Sequence, residues 1–142
     1  MNTTTPGRFE VSMKVAVVSD GQLLVLLDAE TGHGDLPGGR ISDQEMLRPW
    51  TDAVRRELVE ELGPDAHIAL SDAPVLSFPH VILATGSPAL GLLWAGTWIG
   101  GEIALSAEHA GLTWVPLEPR AIRESLSATQ ASAVLAWMAQ RG

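Results

Sequence analysis

Apolar residues recur along the chain in two spacings, one typical of strands and one typical of helices. Runs rich in Val, Leu and Ile predict strands at 9–18 and 22–28. The Asp20-Gly21 pair between them indicates a hairpin, because Asp-Gly between apolar runs favours a tight turn. Similar runs predict later strands at 66–70, 75–85, 90–99 and 112–115.

Two segments show the helical spacing instead. The first spans residues 49–62 and repeats Val54, Leu58 and Leu62 at intervals of four, which predicts one buried face. The second opens at Ser127-Ala128-Thr129-Gln130, whose spacing is that of a capping box, with Val134, Leu135 and Met138 expected on its buried side. Strands interleaved with helices predict one α/β layered domain over residues 1–142, with residues 1–8 as a frayed lead-in.

The carboxyl end of the first helix carries three glutamates that stability alone does not explain. Glu57, Glu60 and Glu61 stand at i, i+3 and i+4, so their carboxylates share one face and repel each other. Gly63 and Pro64 end the helix here, where its dipole favours cations, and each misplaced anion costs about 0.3–1 kcal/mol. A divalent cation with a preference for oxygen ligands, such as Mg²⁺, turns this repulsion into a binding site.

Composition limits the functions that this chain can have. The net charge of −8 disfavours sequence-independent binding to DNA or RNA but not binding of small nucleotides, because a metal ion can neutralise their phosphates. Cysteine is absent, which excludes disulfides and thiolate metal sites. No apolar run is long enough for a transmembrane helix, and the N-terminus does not resemble a signal peptide, so we expect a cytoplasmic protein that does not bind membranes.

Upstream of the helix lies Leu36-Pro37-Gly38-Gly39-Arg40, with Glu45 six residues after Gly39. Together with residues 56–63, Arg-Glu-Leu-Val-Glu-Glu-Leu-Gly, this resembles the box motif of the Nudix hydrolases. Ten residues separate Glu45 from Arg56 where the family pattern has seven, so the pattern does not fix the position of Glu45 relative to the helix. Pro64 also replaces the final aliphatic residue of the pattern, which an ordinary helix stop explains.

The resemblance implies a single Nudix-like α/β/α sandwich with a mixed β-sheet. It also implies a metal site for Mg²⁺, with Mn²⁺ as an alternative. The residues that match the family's ligands are Glu57, Glu60, Glu61 and the carbonyl of Gly39. The matching arginine, Arg56, is expected to orient a glutamate of the box, and a surface ion pair with Glu60 is the alternative.

The resemblance further implies hydrolysis of a diphosphate linkage by a water molecule that a glutamate activates. Glu60, Glu61 and Glu108 are the catalytic candidates, because Glu108-His109 before a strand resembles a common ending of the family, whereas we expect Glu102 to be a solvated loop residue. Gly38 and Gly39 have two explanations, a tight turn or a close backbone approach to a metal ion or a phosphate. Arg40 is a candidate phosphate contact or an ordinary exposed arginine.

Other residues carry weaker signals. The four histidines lack metal-ligand spacing, and we expect them in loops or at the surface. Trp94, Trp98 and Trp114 are expected in the core, although one of them, or Phe78, is a candidate for stacking on a base. Pro79, fifteen residues after Pro64, resembles the downstream proline of family members that cleave ADP-ribose.

The sequence thus predicts a Nudix-type pyrophosphohydrolase. Its substrate is a nucleoside diphosphate linked to another group, either a nucleoside triphosphate or a compound of the ADP-ribose or nucleotide-sugar type. The alternatives are an inactive Nudix-like module that binds nucleotides and an acidic structural domain. We expect a monomer or homodimer.

Overall fold

The computed structural model describes residues 4–141. Within that range residues 4–9 belong to no helix or strand, and residues 1–3 of the predicted lead-in lie outside the described part. The strands are β1 (Glu10–Ser19), β2 (Gln22–Asp28), β3 (Gly34–Asp35), β4 (Gly38–Arg40), β5 (Ala66–Leu70), β6 (Leu76–Ile82), β7 (Ser87–Gly101) and β8 (His109–Pro116). The helices are α1 (Trp50–Leu62), α2 (Pro119–Ser125) and α3 (Ala128–Arg141).

The strands form one mixed sheet around β1 and β7, which run parallel to each other along nine residue pairs from Glu10↔Ala89 to Val18↔Thr97. All other pairings in the described sheet are antiparallel, with β5 and β6 on the far side of β7 and with β8 and β3 on β2. The short strand β4 pairs with β1, so that Gly39 lies opposite Met13 and Gly38 opposite Lys14. This pairing holds the glycine segment against the centre of the sheet.

Helices cover both faces of the sheet, because side chains of a strand alternate between its faces. In β1, Met13, Val15 and Val17 pack towards α1 in one apolar cluster, and Ala16 belongs to the opposite cluster with residues of α2 and α3. The predicted α/β/α sandwich with a mixed sheet is confirmed.

Several element boundaries differ from the prediction. The strand β7 begins at Ser87 and ends at Gly101, and β8 begins at His109, because backbone pairing continues beyond the apolar runs. The segments β3, β4 and α2 were not predicted. The two short strands are rich in glycine, and α2 has only Ile122 fully buried, so none of the three carries a clear apolar period.

Helix α3 begins where predicted but not through the predicted capping box. The side chain of Gln130 donates to Asp35 and accepts from the backbone N–H of Leu36, and it makes no recorded bond to Ser127. The hydroxyl of Ser127 is buried without a partner among the described residues. Val134 is buried as expected, whereas Leu135 and Met138 are only half-buried. The other large buried apolar residue of the helix is Trp137.

Among residues 4–141, no helix is long and apolar enough to cross a membrane.

Candidate active site

The last turns of α1 face β4 across a cleft of about 370 Å³. Its acidic and glycine-rich character follows from the two segments that form it, together with the loop before β8. The residues lining the cleft are Gly38, Gly39, Arg40, Glu57, Glu60, Glu61, Ser106 and Glu108. The fold therefore brings together the predicted metal ligands, the two glycines, Arg40 and the catalytic candidates, including Glu108 from a segment about 50 residues further along the chain.

Glu61 is the most deeply buried carboxylate of the cleft, with only 6% of the residue exposed. Its Oε1 accepts a hydrogen bond of 2.6 Å from the backbone N–H of Gly38. Burial raises the pKa of Glu61 to about 8, although the Gly38 N–H and the nearby Lys14 act in the opposite direction. Burial thus disfavours the charged form of Glu61 at neutral pH, and a bound cation would favour it.

Glu57 packs against the backbone of Gly39. A methyl group at Gly39 would lie 2.3 Å from the carboxyl carbon of Glu57, so any side chain there would displace the glutamate. Burial raises the pKa of Glu57, while its ion pair with Arg56 lowers it. Of the two explanations for Gly39, the close approach therefore accounts for the geometry, and the approaching group is a site carboxylate.

Arg56 holds three glutamates with one guanidinium group. Its Nε and Nη2 donate to the two oxygens of Glu45, both at 2.7 Å, and its Nη1 donates to Glu57 at 2.8 Å and to Glu60 at 3.1 Å. The predicted pair with Glu60 is thus the weakest part of a larger network. The Arg56 bonds lower the pKa of Glu45 to about 2. They also fix the side chain of Glu45 against α1. The sequence pattern did not predict this position, because the loop before α1 is longer than in the family pattern.

Glu108, the last residue before β8, and His109, the first residue of β8, approach Glu61. Carboxylate and imidazole atoms of these three residues lie within 4.8 Å of one another, a spacing that one metal ion could bridge. The Nε2 of His109 is 3.6 Å from Glu61, and its Nδ1 is buried without a partner among the described residues.

Sequence reasoning missed the histidines. His109 and His80 are both buried, with 8% and 5% of the residue exposed, so the expectation of loop or surface positions is wrong for these two. His80 stands in β6 and its Nδ1 lies 2.8 Å from the Thr129 hydroxyl, while burial lowers its pKa. The signal available for His109 was its place beside Glu108 at the start of a strand, which favours an inward side chain at alternate positions.

The remaining candidates stand at the rim or outside the cleft. Arg40 is half exposed and its Nη1 is 3.2 Å from Glu10, so it has an ion-pair partner and also an open path to the cleft. Glu102 is exposed and lines neither described cavity. Trp94, Trp98 and Trp114 belong to the apolar cluster under α1, which confirms core packing, and the last two meet edge to face at 6.1 Å.

The chemistry of these donors fits a hard divalent cation. Glu61 is buried and Glu57 is half-buried, and desolvation raises the pKa of both. Glu60 and Glu108 are exposed, and all the donors are oxygen atoms apart from His109. Mg²⁺ prefers oxygen ligands, and it would offset the cost of holding these charges away from water.

This arrangement predicts a pH-dependent response of stability to Mg²⁺. The pKa of Glu61 is about 8 when folded against 4.5 ordinarily, so the folded state binds more protons between these values. Glu61 therefore lowers the free energy of unfolding by up to about 1.4 kcal/mol per unit of pH rise in that window. Mg²⁺ should raise Tm more at pH 8 than at pH 6, because at lower pH it must displace a proton. Calorimetry of wild type and Glu61→Gln at both pH values measures this, and an equal Mg²⁺ effect in both proteins would contradict it.

Solved structures resemble this chain over almost its full length. A MutT protein from Methanosarcina mazei Go1 is 22% identical and superposes with a TM-score of 0.77 over 97% of this chain and 99% of its own. A MutT NUDIX hydrolase from Burkholderia pseudomallei is 27% identical, with a TM-score of 0.69 over 91% and 97% of the two chains. An Ap4A hydrolase from C. elegans is 19% identical, with a TM-score of 0.68 over 92% and 94%.

No protein-family model and no curated protein matches the sequence. The architecture, with its mixed sheet between α1 and the α2–α3 layer, is nevertheless shared with these solved proteins over at least nine-tenths of the chain. The chain therefore has the fold of the Nudix hydrolases.

Proposed function

We propose that the protein is a Nudix-type pyrophosphohydrolase. It hydrolyses, with a divalent metal ion, the diphosphate linkage of a nucleoside diphosphate joined to another group. The observation that carries this proposal is the buried Glu61, held by the Gly38 N–H inside a cleft that four carboxylates line. The likeness to solved Nudix hydrolases supports the same reaction class.

In this proposal Glu57, Glu60, Glu61 and the Gly39 carbonyl hold Mg²⁺, or Mn²⁺ in its place. The bound ion would neutralise the diphosphate and make a water molecule more acidic. Arg56 keeps Glu57 and Glu60 in position before any ligand arrives. The backbone of Gly38 and Gly39 forms one wall of the cleft. Arg40 lies at the rim of the cleft, where its guanidinium group would bind a phosphate of the substrate that extends out of the cleft.

The proton of the attacking water needs an acceptor within the cleft. We assign this role to Glu61 or Glu108, whose carboxylate oxygens lie within 4.8 Å of each other and so face one ligand position. The water oxygen forms a bond to phosphorus, the bond from that phosphorus to the bridging oxygen breaks, and two phosphorylated products leave. Carboxylates positioned by hydrogen bonds, rather than a covalent nucleophile, perform the reaction.

The proposal predicts turnover of nucleotides only when a divalent metal is present. Purified protein would be incubated with Mg²⁺ and a panel of nucleoside triphosphates, ADP-ribose, a nucleotide sugar and a dinucleoside polyphosphate. We expect a nucleoside monophosphate and the complementary phosphorylated fragment from at least one of them. Chromatography identifies the products, and ¹⁸O-labelled water shows which phosphorus is attacked.

The same assay with EDTA, and with Glu60→Gln, gives the controls. Loss of product in both supports the proposed metal ligands. Tight nucleotide binding without product from any compound would instead indicate a binding module, and turnover that EDTA leaves unchanged would contradict the metal site. The predictions of one domain over residues 1–142, a monomer or homodimer and a cytoplasmic location stay predictions.

A further inference from the structure

A second cavity of about 900 Å³ lies on the side of the sheet that α2 and α3 cover. We call it the large cavity. Gly39 and Arg40 line both this cavity and the acidic cleft, so the two are continuous around β4. A ligand with its diphosphate in the cleft would extend its remaining part into the large cavity, whose volume suits a small organic group.

The floor of the large cavity carries an ion pair that is mostly hidden from solvent. Lys14 from β1 donates to Oδ1 of Asp35 at 2.9 Å, and the side-chain amide of Gln130 donates to the same Oδ1 at 2.8 Å. Gln130 also accepts from the N–H of Leu36 at 2.9 Å. These bonds fix the Asp35 carboxylate in one orientation between β1, β3 and α3.

Both bonds to Asp35 end on the same oxygen. Its second oxygen, Oδ2, accepts no hydrogen bond from the described residues, although the side chain lines the large cavity and is 31% exposed. The hydrogen bonds that connect β1 to α3, through Lys14 and Gln130, both use Oδ1. Oδ2 is therefore a fixed, unused acceptor on the floor of a binding cavity.

Aliphatic side chains form part of the walls around this acceptor, beside polar and charged residues, and they offer apolar contact area to a ligand. The apolar lining residues are Val25, Leu27, Ile82, Leu83, Ala84 and Leu126. Apart from His33 and His80, no aromatic ring lines the large cavity within residues 4–141. A flat ring in this cavity would pack between aliphatic side chains, and the polar atoms on its edge would meet the floor.

The floor also lies close to the proposed reaction centre. Lys14 in β1 pairs with Gly38 in β4, and the N–H of Gly38 donates to Glu61 at 2.6 Å. One ligand can therefore contact Asp35 and the acidic cleft at once.

We propose that Asp35 determines base specificity by accepting a hydrogen bond from an exocyclic amino group of the substrate's base. This inference rests on the proposed function, since it takes the ligand to be a nucleotide. Adenine, cytosine and guanine carry such an amino group, whereas uracil and hypoxanthine have an oxygen or a hydrogen there. A carbonyl oxygen turned towards Oδ2 would place two hydrogen-bond acceptors against each other, which disfavours binding.

The test compares matched nucleoside monophosphates by calorimetry, which requires neither metal nor turnover. The pairs are CMP with UMP, AMP with IMP and GMP with IMP. The first two replace the amino group with a carbonyl oxygen and add a proton to the neighbouring ring nitrogen, and the third removes the amino group alone. For the wild-type protein we expect the amino member of at least one pair to bind about 10- to 100-fold more tightly, the range for a hydrogen bond to a charged group. Less than about threefold preference in all three pairs would overturn the proposal.

Asp35→Asn makes the test sharper. Lys14 and Gln130 both donate at the Oδ1 position, so they should hold the amide oxygen there and leave the NH₂ group in place of Oδ2. The exposed acceptor becomes a donor, and the preference should disappear or reverse towards UMP or IMP. The control is Glu124→Gln, which removes the same charge from the wall of the large cavity, where Glu124 is exposed and paired with Arg120.

An unchanged preference in Asp35→Asn, or an equal loss in Glu124→Gln, would overturn the role of Asp35. The wild-type comparison decides the question even if Asp35→Asn does not fold. Turnover of the substrate panel without base preference refutes only this inference. Base preference without any turnover supports Asp35 as a recognition residue and refutes the proposed hydrolase.

Discussion

Replacement of Glu61 with glutamine is expected to lower kcat by about 10²–10⁴-fold, the range for removal of a general base. Glutamine keeps the size of the side chain and can still accept from the Gly38 N–H, so the fold should persist. It cannot carry the negative charge that a metal ion or a proton in transit requires. Steady-state kinetics with the best substrate of the panel, under saturating Mg²⁺, measures the effect.

Glu102→Gln is the matched control, because Glu102 is an exposed carboxylate that lines neither cavity. Its kcat should stay within about twofold of wild type, as is usual for surface substitutions away from a site. If Glu61→Gln retained a tenth or more of the wild-type kcat, Glu61 would be neither an essential ligand nor the base, and Glu108 would be the remaining candidate.

Replacement of Gly38 with alanine is expected to destabilise the protein by more than about 2 kcal/mol and to abolish activity. The added Cβ would lie 1.9 Å from the carbonyl oxygen of Met13, and the φ angle of Gly38 is 150°, a conformation that residues with a side chain rarely adopt. Because β1 is also paired with β7, we expect β4 to move instead of β1. This movement would break the hydrogen bond that the Gly38 N–H donates to Glu61. Urea denaturation gives the loss in free energy of unfolding.

Gly86→Ala separates backbone strain from the clash at Gly38. Gly86 has a φ angle of 71° in the β6–β7 turn, but a Cβ there meets nothing within 4 Å. We expect a cost of about 1–2 kcal/mol from the left-handed conformation alone, with kcat unchanged. Equal losses of stability and activity in the two variants would show that the contact with Met13 is unimportant.

Much of the fold follows from local patterns in the sequence. The hairpin of β1 and β2, the helix α1 and its end at Gly63 were predictable, because alternation, Asp-Gly and the spacing of Val54, Leu58 and Leu62 all act within a few residues. The Nudix-like sandwich was predictable only through the resemblance, since the parallel pairing of β1 with β7 joins segments about 80 residues apart.

The sequence predicted which residues line the candidate site but not how they are arranged. The motif named Glu57, Glu60 and Glu61, but their different burial depends on β4 and on the loop before β8, which approach from elsewhere in the chain. The bonds of Gln130 to Asp35 and Leu36 show the same limit. A pattern of four residues predicted a local cap, and a contact 95 positions away uses the side chain instead.

The alternation of β1 also protects the molecule against misalignment. Successive residues of this strand supply the apolar layer under α1 and the polar floor of the large cavity. A slip of one position against β7 would drive the charge of Lys14 into the apolar layer and turn Met13 towards Asp35. A wrongly aligned sheet would then lose its stability and its ligand contacts together, which disfavours a stable but inactive register.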